Sequence, residues 1–130
     1  MVLDFDHVAL KEAKGVSREW LVRAKFAPVF DGFKAVLGFV SPSGDGYKLF
    51  VEVSQEIYAL SSYEAGQLLE TETARKAVAE AYKVIYRDRA QKAAALGLEL
   101  DESGCDITRA CYVPADSYAR MDAPFFPRVW

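Results

Sequence analysis

The sequence predicts an α+β domain in which a mainly antiparallel, four-stranded sheet carries two long helices on one face. Three observations predict this class: short segments of alternating apolar residues, two longer segments with helical spacing, and a proline- and glycine-containing turn between two of the short segments. The 130 residues are 52% apolar and 27% charged. This balance suits a single soluble domain spanning residues 1–130.

The first predicted strand is Val2–His7, where apolar and acidic residues alternate. Successive side chains of a strand point to opposite faces, so Leu3 and Phe5 share one side and Asp4 and Asp6 share the other. The acidic side is therefore expected to lie outside the core.

The first predicted helix is Ala9–Phe26, whose apolar residues recur at near-helical spacing. Pro28 is expected to end it, because proline lacks the amide donor that a helix interior needs. The apolar stripe consists of Leu10, Ala13, Val16, Trp20, Leu21 and Ala24.

A β-hairpin is predicted next, with strands at Lys34–Ser41 and Gly46–Val53. The intervening Pro42–Asp45 has the residue types of a tight turn. In the second of these strands, alternation places Lys48 opposite the apolar side and hence outside the core. The apolar side consists of Tyr47, Leu49, Val51 and Val53.

The second half of the chain predicts a long helix over Thr71–Leu96, with Thr71 as its cap and Gly97 as its C-terminal stop. Its apolar stripe consists of Ala74, Ala77, Val78, Ala81, Val84 and Ile85. Residues 55–70 show mixed signals, and a short helix is predicted around Tyr63–Leu69. A fourth strand is predicted at Ile107–Val113, followed by an irregular tail to Trp130.

Charge and residue counts exclude several classes of protein. A net charge of −3 excludes a protein that coats DNA through its overall field. The apolar runs are too short to span a bilayer and a secretion signal is not recognisable, so we expect a cytoplasmic protein with no membrane partner. With Cys105, Cys111 and His7 as the only cysteines and histidine, the chain has too few ligands for a structural zinc site. Reduced, packed cysteines are expected.

The carboxylates of Asp4 and Asp6 provide the first candidate site. On a strand they emerge from one face with their backbones about 7 Å apart, close enough to share cations. Mg²⁺ or Mn²⁺ suits such oxygen ligands, and a pair of ions in this setting supports nucleotidyl transfer by in-line displacement. The alternative is that both are ordinary exposed strand residues.

The Ser41–Lys48 segment provides the second candidate. Gly44 and Gly46 let the backbone approach an anion, Ser43 adds a hydroxyl and Lys48 adds a positive charge, a combination suited to a triphosphate. The alternative is a hairpin turn whose glycines only satisfy backbone angles.

Asp106 and Arg109, at the start of the last predicted strand, form the third candidate. Asp106 would be a further carboxylate for the ions, and Arg109 would hold phosphate. The alternative is a surface ion pair.

The order of several motifs resembles that of a known family. The motifs are Leu3–Val8 (LDFDHV), Phe39–Lys48 (FVSPSGDGYK), Gly97–Asp101 (GLELD), Cys105–Val113 (CDITRACYV) and Ala123–Phe125 (APF). Together they resemble the primase-like N-terminal domain of virulence-associated protein E. That domain occurs in mobile-element and phage primase-helicases, within the archaeo-eukaryotic primase (primase-polymerase) superfamily. For the predicted sheet and helices, the resemblance implies a primase-polymerase or RRM-like core.

The resemblance implies a role for each candidate residue. Asp4 and Asp6 match the first acidic motif of the superfamily, the Ser43–Lys48 segment matches the second, and Asp106 matches the third. One position departs from the pattern, since catalytic members usually have a nucleotide-binding histidine where this chain has Lys48. A lysine still binds phosphate as a point charge.

The expectation from the sequence is a nucleotide- and metal-binding domain that acts in the replication of a mobile element or phage, as a DNA primase or polymerase if it is active. Mg²⁺ or Mn²⁺ would be held by Asp4, Asp6 and Asp106, which are the expected catalytic residues. Phosphate would be held by Ser43, Gly44, Gly46, Lys48 and Arg109. The expected partners are a nucleoside triphosphate, a single-stranded DNA template and a helicase domain or protein.

Two other functions stay open at this point. One is a catalytically inactive module of the same fold that binds nucleic acid or a partner protein. The other is a metal-dependent nuclease that uses the same acidic residues and needs no triphosphate.

Overall fold

A computed structural model describes residues 1–63, 71–105 and 120–121 of the chain. These residues fall into two compact units. The sheet unit contains residues 2–51 together with 120–121, and the helical unit contains residues 52–63 and 71–105 together with Met1. The elements within them confirm the α+β class.

The sheet unit is built on a four-stranded antiparallel sheet with strand order β1-β3-β2-β4. The strands are β1 (Val2–Phe5), β2 (Ala35–Val40), β3 (Tyr47–Val51) and β4 (Arg120–Met121). The predicted hairpin is confirmed, because β2 and β3 pair directly across the turn. A short 3₁₀ turn at Leu10–Glu12 and helix α1 (Gly15–Gly32) connect β1 to β2.

The core of the sheet unit lies between one face of the sheet and α1. Leu3 pairs with Leu49, and Phe5 pairs with Tyr47, so these four residues share a face and all are buried. Phe26 of α1 stacks on Tyr47 with ring centroids 4.1 Å apart. The predicted core side of β3 is therefore confirmed.

Helix α1 differs from the prediction in both its extent and its buried face. It continues through Pro28 to Gly32, and the residues it buries are Val22, Phe26, Val29 and Phe30. Burying Val29 and Phe30 after the proline offsets the lost hydrogen bond, since each large apolar side chain contributes roughly 1.5–3 kcal/mol. Within the helix the predicted stripe is wrong, because Val16 and Trp20 are 83% and 70% exposed, whereas Leu10, which precedes the helix, is buried as expected.

The opposite side of the sheet is shielded from water around Asp4, which corrects the expectation for β1. Asp4 is buried, with 8% of its surface exposed, and Phe39 on the same side of the sheet is 1% exposed. A carboxylate tolerates burial when an opposite charge compensates for its lost hydration. Lys48, directly across from Asp4 in the strand register, provides that charge.

The helical unit consists of α2 (Ser54–Ser61), α3 (Glu72–Ala95) and a short 3₁₀ turn at Glu102–Cys105. Both ends of α3 follow the prediction. Thr71 Oγ1 accepts a hydrogen bond from the Ala74 amide at 3.1 Å, and Gly97 has a φ of 75° where the chain leaves the helix. The amide of Gly97 donates to Ala94 and that of Leu98 donates to Ala93, the paired bonds of a Schellman motif.

The buried face of α3 overlaps the predicted stripe but extends beyond it. Ala74, Val78, Ala81 and Ile85 are buried as expected, whereas Val84 is 50% exposed. Tyr82, Tyr86 and Ala93 are also buried. The exposure of Val84 corrects the predicted stripe, because that residue lies at its edge and turns to solvent.

Several predicted features lie outside the described residues. They are most of the short helix around Tyr63–Leu69, the strand at Ile107–Val113, Cys111, and the tail to Trp130 except Arg120–Met121. Those two residues form β4, which corrects the expectation of an irregular tail. Cys105 has a free thiol, as expected.

Candidate functional site

The centre of the candidate site is an ion pair between neighbouring strands of the sheet unit. Asp4 on β1 and Lys48 on β3 are direct partners in the antiparallel register. Lys48 Nζ lies 3.2 Å from Asp4 Oδ2, with only 14% and 12% of the two side chains exposed. The pair is therefore largely desolvated, which strengthens the attraction but removes hydration from both charges.

The second carboxylate oxygen of Asp4 is in an unusual position. Oδ1 is buried and has no hydrogen-bond partner among residues 1–63, 71–105 and 120–121. A carboxylate oxygen without a partner retains a strong demand for a donor or a cation. Asp4 thus offers one oxygen to Lys48 and a second to a ligand.

Asp6 brings a second carboxylate to the same place. One of its oxygens lies within 4.8 Å of an oxygen of Asp4, although Asp6 itself is exposed. Mg²⁺ usually takes one or two carboxylates and completes its shell with water and substrate phosphates. The donor types and the orphaned Oδ1 therefore fit a hard divalent cation, while the ammonium of Lys48 competes with it for Asp4.

The turn between β2 and β3, residues 41–46, is held together by its own hydrogen bonds. The amide of Gly44 donates to Ser41 O at 2.9 Å, and the amide of Gly46 donates to the buried Ser41 hydroxyl at 3.0 Å. Ser43 Oγ lies 3.0 Å from Ser41 Oγ. These two amides thus shape the turn, and the hydroxyl of the exposed Ser43 is the group of this turn best placed to meet a ligand.

The two glycines in the turn are required for different reasons. Gly44 has a φ of 77°, a left-handed conformation that glycine adopts without strain. Gly46 approaches β1 so closely that a Cβ atom there would lie 2.7 Å from Phe5 O and 3.4 Å from Asp6 Oδ1. The turn therefore lies against the end of β1 that carries Asp6.

The segment following Asp6 holds backbone strain beside this turn. His7 and Ala9 have φ values of 54° and 61°, which non-glycine residues rarely adopt. The amide of Val8 donates to Asp45 O at 2.9 Å, and His7 Nδ1 lies 3.5 Å from a carboxylate oxygen of Asp45. Such strain costs roughly 1–3 kcal/mol per residue and is found preferentially at functional sites.

Sequence reasoning missed two basic residues next to the turn. A Cβ atom on Gly44 would lie 3.6 Å from Lys11 Cβ and 4.0 Å from Arg18 Nη2. Arg18 belongs to α1 and Lys11 to the preceding 3₁₀ turn. Helical spacing marks Arg18 only as a polar position, so no signal in the sequence distinguishes it from Arg23.

The structure brings together part of the predicted site. Asp4, Asp6 and Lys48 converge, with the Ser43–Gly46 turn alongside the end of β1. Asp106 and Arg109, predicted as the third carboxylate and a phosphate ligand, lie outside the described residues.

Comparison with known proteins identifies the family. The model of a family described as "BT4734-like, N-terminal domain" matches residues 1–119. The chain belongs to this family. No curated protein and no solved structure matches this BT4734-like domain. Among its described residues, no helix has the length and apolar character needed to cross a membrane.

Proposed function

We propose that this BT4734-like domain binds a nucleoside triphosphate together with Mg²⁺ or Mn²⁺, as a primase-polymerase-type module. The observation that carries the proposal is the state of Asp4: one oxygen paired with Lys48, and the other buried without a partner among the described residues. Asp6 lies within reach of the same cation. The resemblance to the primase-like domain of virulence-associated protein E implies the same ligands.

Each residue has a separate task in this proposal. Asp4 and Asp6 hold the cation, whose chemistry when bound is to neutralise charge on the phosphates. Lys48 pairs with Asp4 in the structure. With a cation held by Asp4 and Asp6, the Lys48 ammonium would bind a phosphate oxygen in place of the Asp4 carboxylate. Ser43 donates its hydroxyl from the turn.

A second candidate function is a binding module without synthesis activity. It is favoured by the same ion pair, because Lys48 stands where the resemblance expects a histidine and already neutralises Asp4. Such a module would engage a single-stranded DNA template or a partner such as a helicase domain.

Calorimetric titration with a non-hydrolysable nucleoside triphosphate and Mg²⁺ tests nucleotide and metal binding. The double variant Asp4→Asn/Asp6→Asn should lose Mg²⁺-dependent binding. The control Asp31→Asn/Asp88→Asn removes the same charge from two exposed carboxylates and should bind as the unaltered protein does. Equal binding by both double variants would contradict the proposal.

A primer-synthesis assay on single-stranded DNA separates the two candidate functions. Product that forms with Mn²⁺ and disappears in Asp4→Asn/Asp6→Asn would support an active enzyme. Nucleotide binding without product would favour the binding module. Cleavage of the DNA in Mn²⁺ without any triphosphate would indicate a nuclease instead.

A further inference from the structure

Arg18 carries a charged donor that the described part of the protein leaves unsatisfied. Its Nε is buried and has no hydrogen-bond partner among residues 1–63, 71–105 and 120–121. An N–H donor removed from water without an acceptor costs roughly 1–3 kcal/mol, and here it belongs to a side chain that is otherwise only half-buried. An acceptor for this guanidinium is therefore expected in the functional complex.

Three other arginines among the described residues are paired with carboxylates. Arg23, on the same helix, contacts Glu19 at 2.5 Å, and Arg120 contacts Asp31 at 2.7 Å. Arg89 contacts Glu56 and Asp88. The guanidinium of Arg18 differs from these because it faces the tip of a turn rather than a carboxylate.

The surroundings of Arg18 suit an anion. Its Nη2 lies 4.0 Å from the point where a Gly44 side chain would begin, and Lys11 borders the same point. Because Gly44 has no side chain, the space between the turn and the guanidinium is not filled by a Cβ atom. Two basic residues and the hydroxyl of neighbouring Ser43 are the donors that phosphate oxygens accept from.

The 41–46 turn also connects Arg18 to the carboxylates. Its Gly46 end contacts Asp6 and its Gly44 tip faces Arg18. Gly44 and Gly46 are two residues apart, so their backbones are separated by at most about 7 Å. A short polyphosphate chain covers that distance. A nucleotide whose phosphates share a cation with Asp6 can extend its outermost phosphate towards Arg18.

We propose that Arg18 binds the outermost phosphate of a nucleoside triphosphate, with Lys11 and Ser43 at its side. The inference rests on the proposed function and adds to it a preference for phosphate-chain length. Arg18 distinguishes a triphosphate from a monophosphate, because only the longer chain reaches from the carboxylates to the guanidinium.

The test compares Arg18→Ala and Arg18→Lys with the control Arg23→Ala, which removes the exposed arginine paired with Glu19. The chain contains two tryptophans, so a Trp130→Phe background leaves Trp20, two positions from Arg18, as the fluorescence reporter. The probes are the tri-, di- and monophosphates of one nucleoside with Mg²⁺, and inorganic tripolyphosphate without metal.

Arg18→Ala should weaken triphosphate binding by about 10- to 100-fold, which is the range for a hydrogen-bonded, charged contact. Monophosphate affinity should be unchanged, and tripolyphosphate binding should weaken in parallel with triphosphate binding. Arg18→Lys should recover part of the affinity, since it keeps the charge but loses the two-pronged geometry. Arg23→Ala should behave as the background protein.

Several results would overturn the inference. If Arg18→Ala binds triphosphate normally while Asp4→Asn/Asp6→Asn does not, Arg18 has no role but the proposed function stands. An equal loss of triphosphate affinity in Arg23→Ala would show that only the net charge matters and not the position of Arg18. Weaker binding of single-stranded DNA with nucleotide binding unchanged would assign Arg18 to a nucleic-acid backbone.

Failure of the proposed function alone can also be distinguished from failure of the Arg18 inference. Loss of tripolyphosphate binding in Arg18→Ala, with no effect of Asp4→Asn/Asp6→Asn on nucleotide binding, would support the anion site and contradict the proposed metal-dependent function. Circular dichroism and urea unfolding establish that each variant is folded. If Arg18→Ala unfolds, Arg18→Lys still carries the test, because its tri- to monophosphate preference must fall.

Discussion

The Asp4–Lys48 pair gives the sharpest prediction from this structure. Replacing Lys48 with methionine keeps most of the side-chain volume but removes the charge opposite Asp4. The carboxylate is then left 88% shielded from solvent without its ammonium partner, since its side chain is 12% exposed. Removing one partner of a buried pair typically costs more than the pair itself contributes to stability.

The magnitude follows from the geometry of the pair. At the Nζ–Oδ2 separation of 3.2 Å, the attraction is about 5 kcal/mol at an effective dielectric constant of 20, before desolvation is counted. Fully buried pairs lose about 3–5 kcal/mol on removal of one partner, and exposed pairs less than about 1 kcal/mol. We expect Lys48→Met to lower the free energy of unfolding by about 3 kcal/mol.

A double-mutant cycle isolates the interaction. Asp4→Asn/Lys48→Met removes both charges, so it should be less destabilised than the sum of the single variants by about 2 kcal/mol. Urea unfolding at pH 7 and constant ionic strength measures all four proteins. If the loss of unfolding free energy in the double variant equals the sum of the two single losses to within about 0.5 kcal/mol, the two charges do not interact and the reasoning is refuted.

Two further predictions concern local structure. Gly46→Ala should lower the free energy of unfolding by about 1–3 kcal/mol, because its Cβ would lie 2.7 Å from the backbone oxygen of Phe5. The control Gly32→Ala, whose Cβ would have nothing within 4 Å, should be neutral or slightly stabilising. Equal urea midpoints for the two variants would contradict this prediction. Thr71→Ala should lower the free energy of unfolding by about 1 kcal/mol, because it removes the hydroxyl that caps the Ala74 amide, and Thr71→Ser should keep that cap. Thermal unfolding followed by circular dichroism compares both variants with the unaltered protein. Equal melting temperatures for all three would contradict a capping role for Thr71.

Local features were predictable because their causes lie within a few residues of one another. The hairpin follows from two alternating segments and a turn of proline and glycine. The ends of α3 follow from Thr71, three residues before the amide that it caps, and from Gly97, whose left-handed φ lets the last carbonyls find donors. Strand alternation likewise placed Asp4 and Lys48 each on the side of its own strand opposite the apolar residues.

By itself, then, the sequence determined the α+β class, the hairpin, the capped helix and the side of its own strand on which each of Asp4 and Lys48 lies, because each depends on local patterns within a strand, a turn or a helix. The tertiary structure decided which side of α1 is buried and how Asp4 meets Lys48, since α1 has apolar residues on more than one side and the stripe that its spacing favoured, through Val16 and Trp20, is the exposed one. It also decided that Asp4 is buried and that Arg18 faces the tip of the turn. These features depend on how segments that are distant in sequence pack together, and local sequence patterns do not predict such packing.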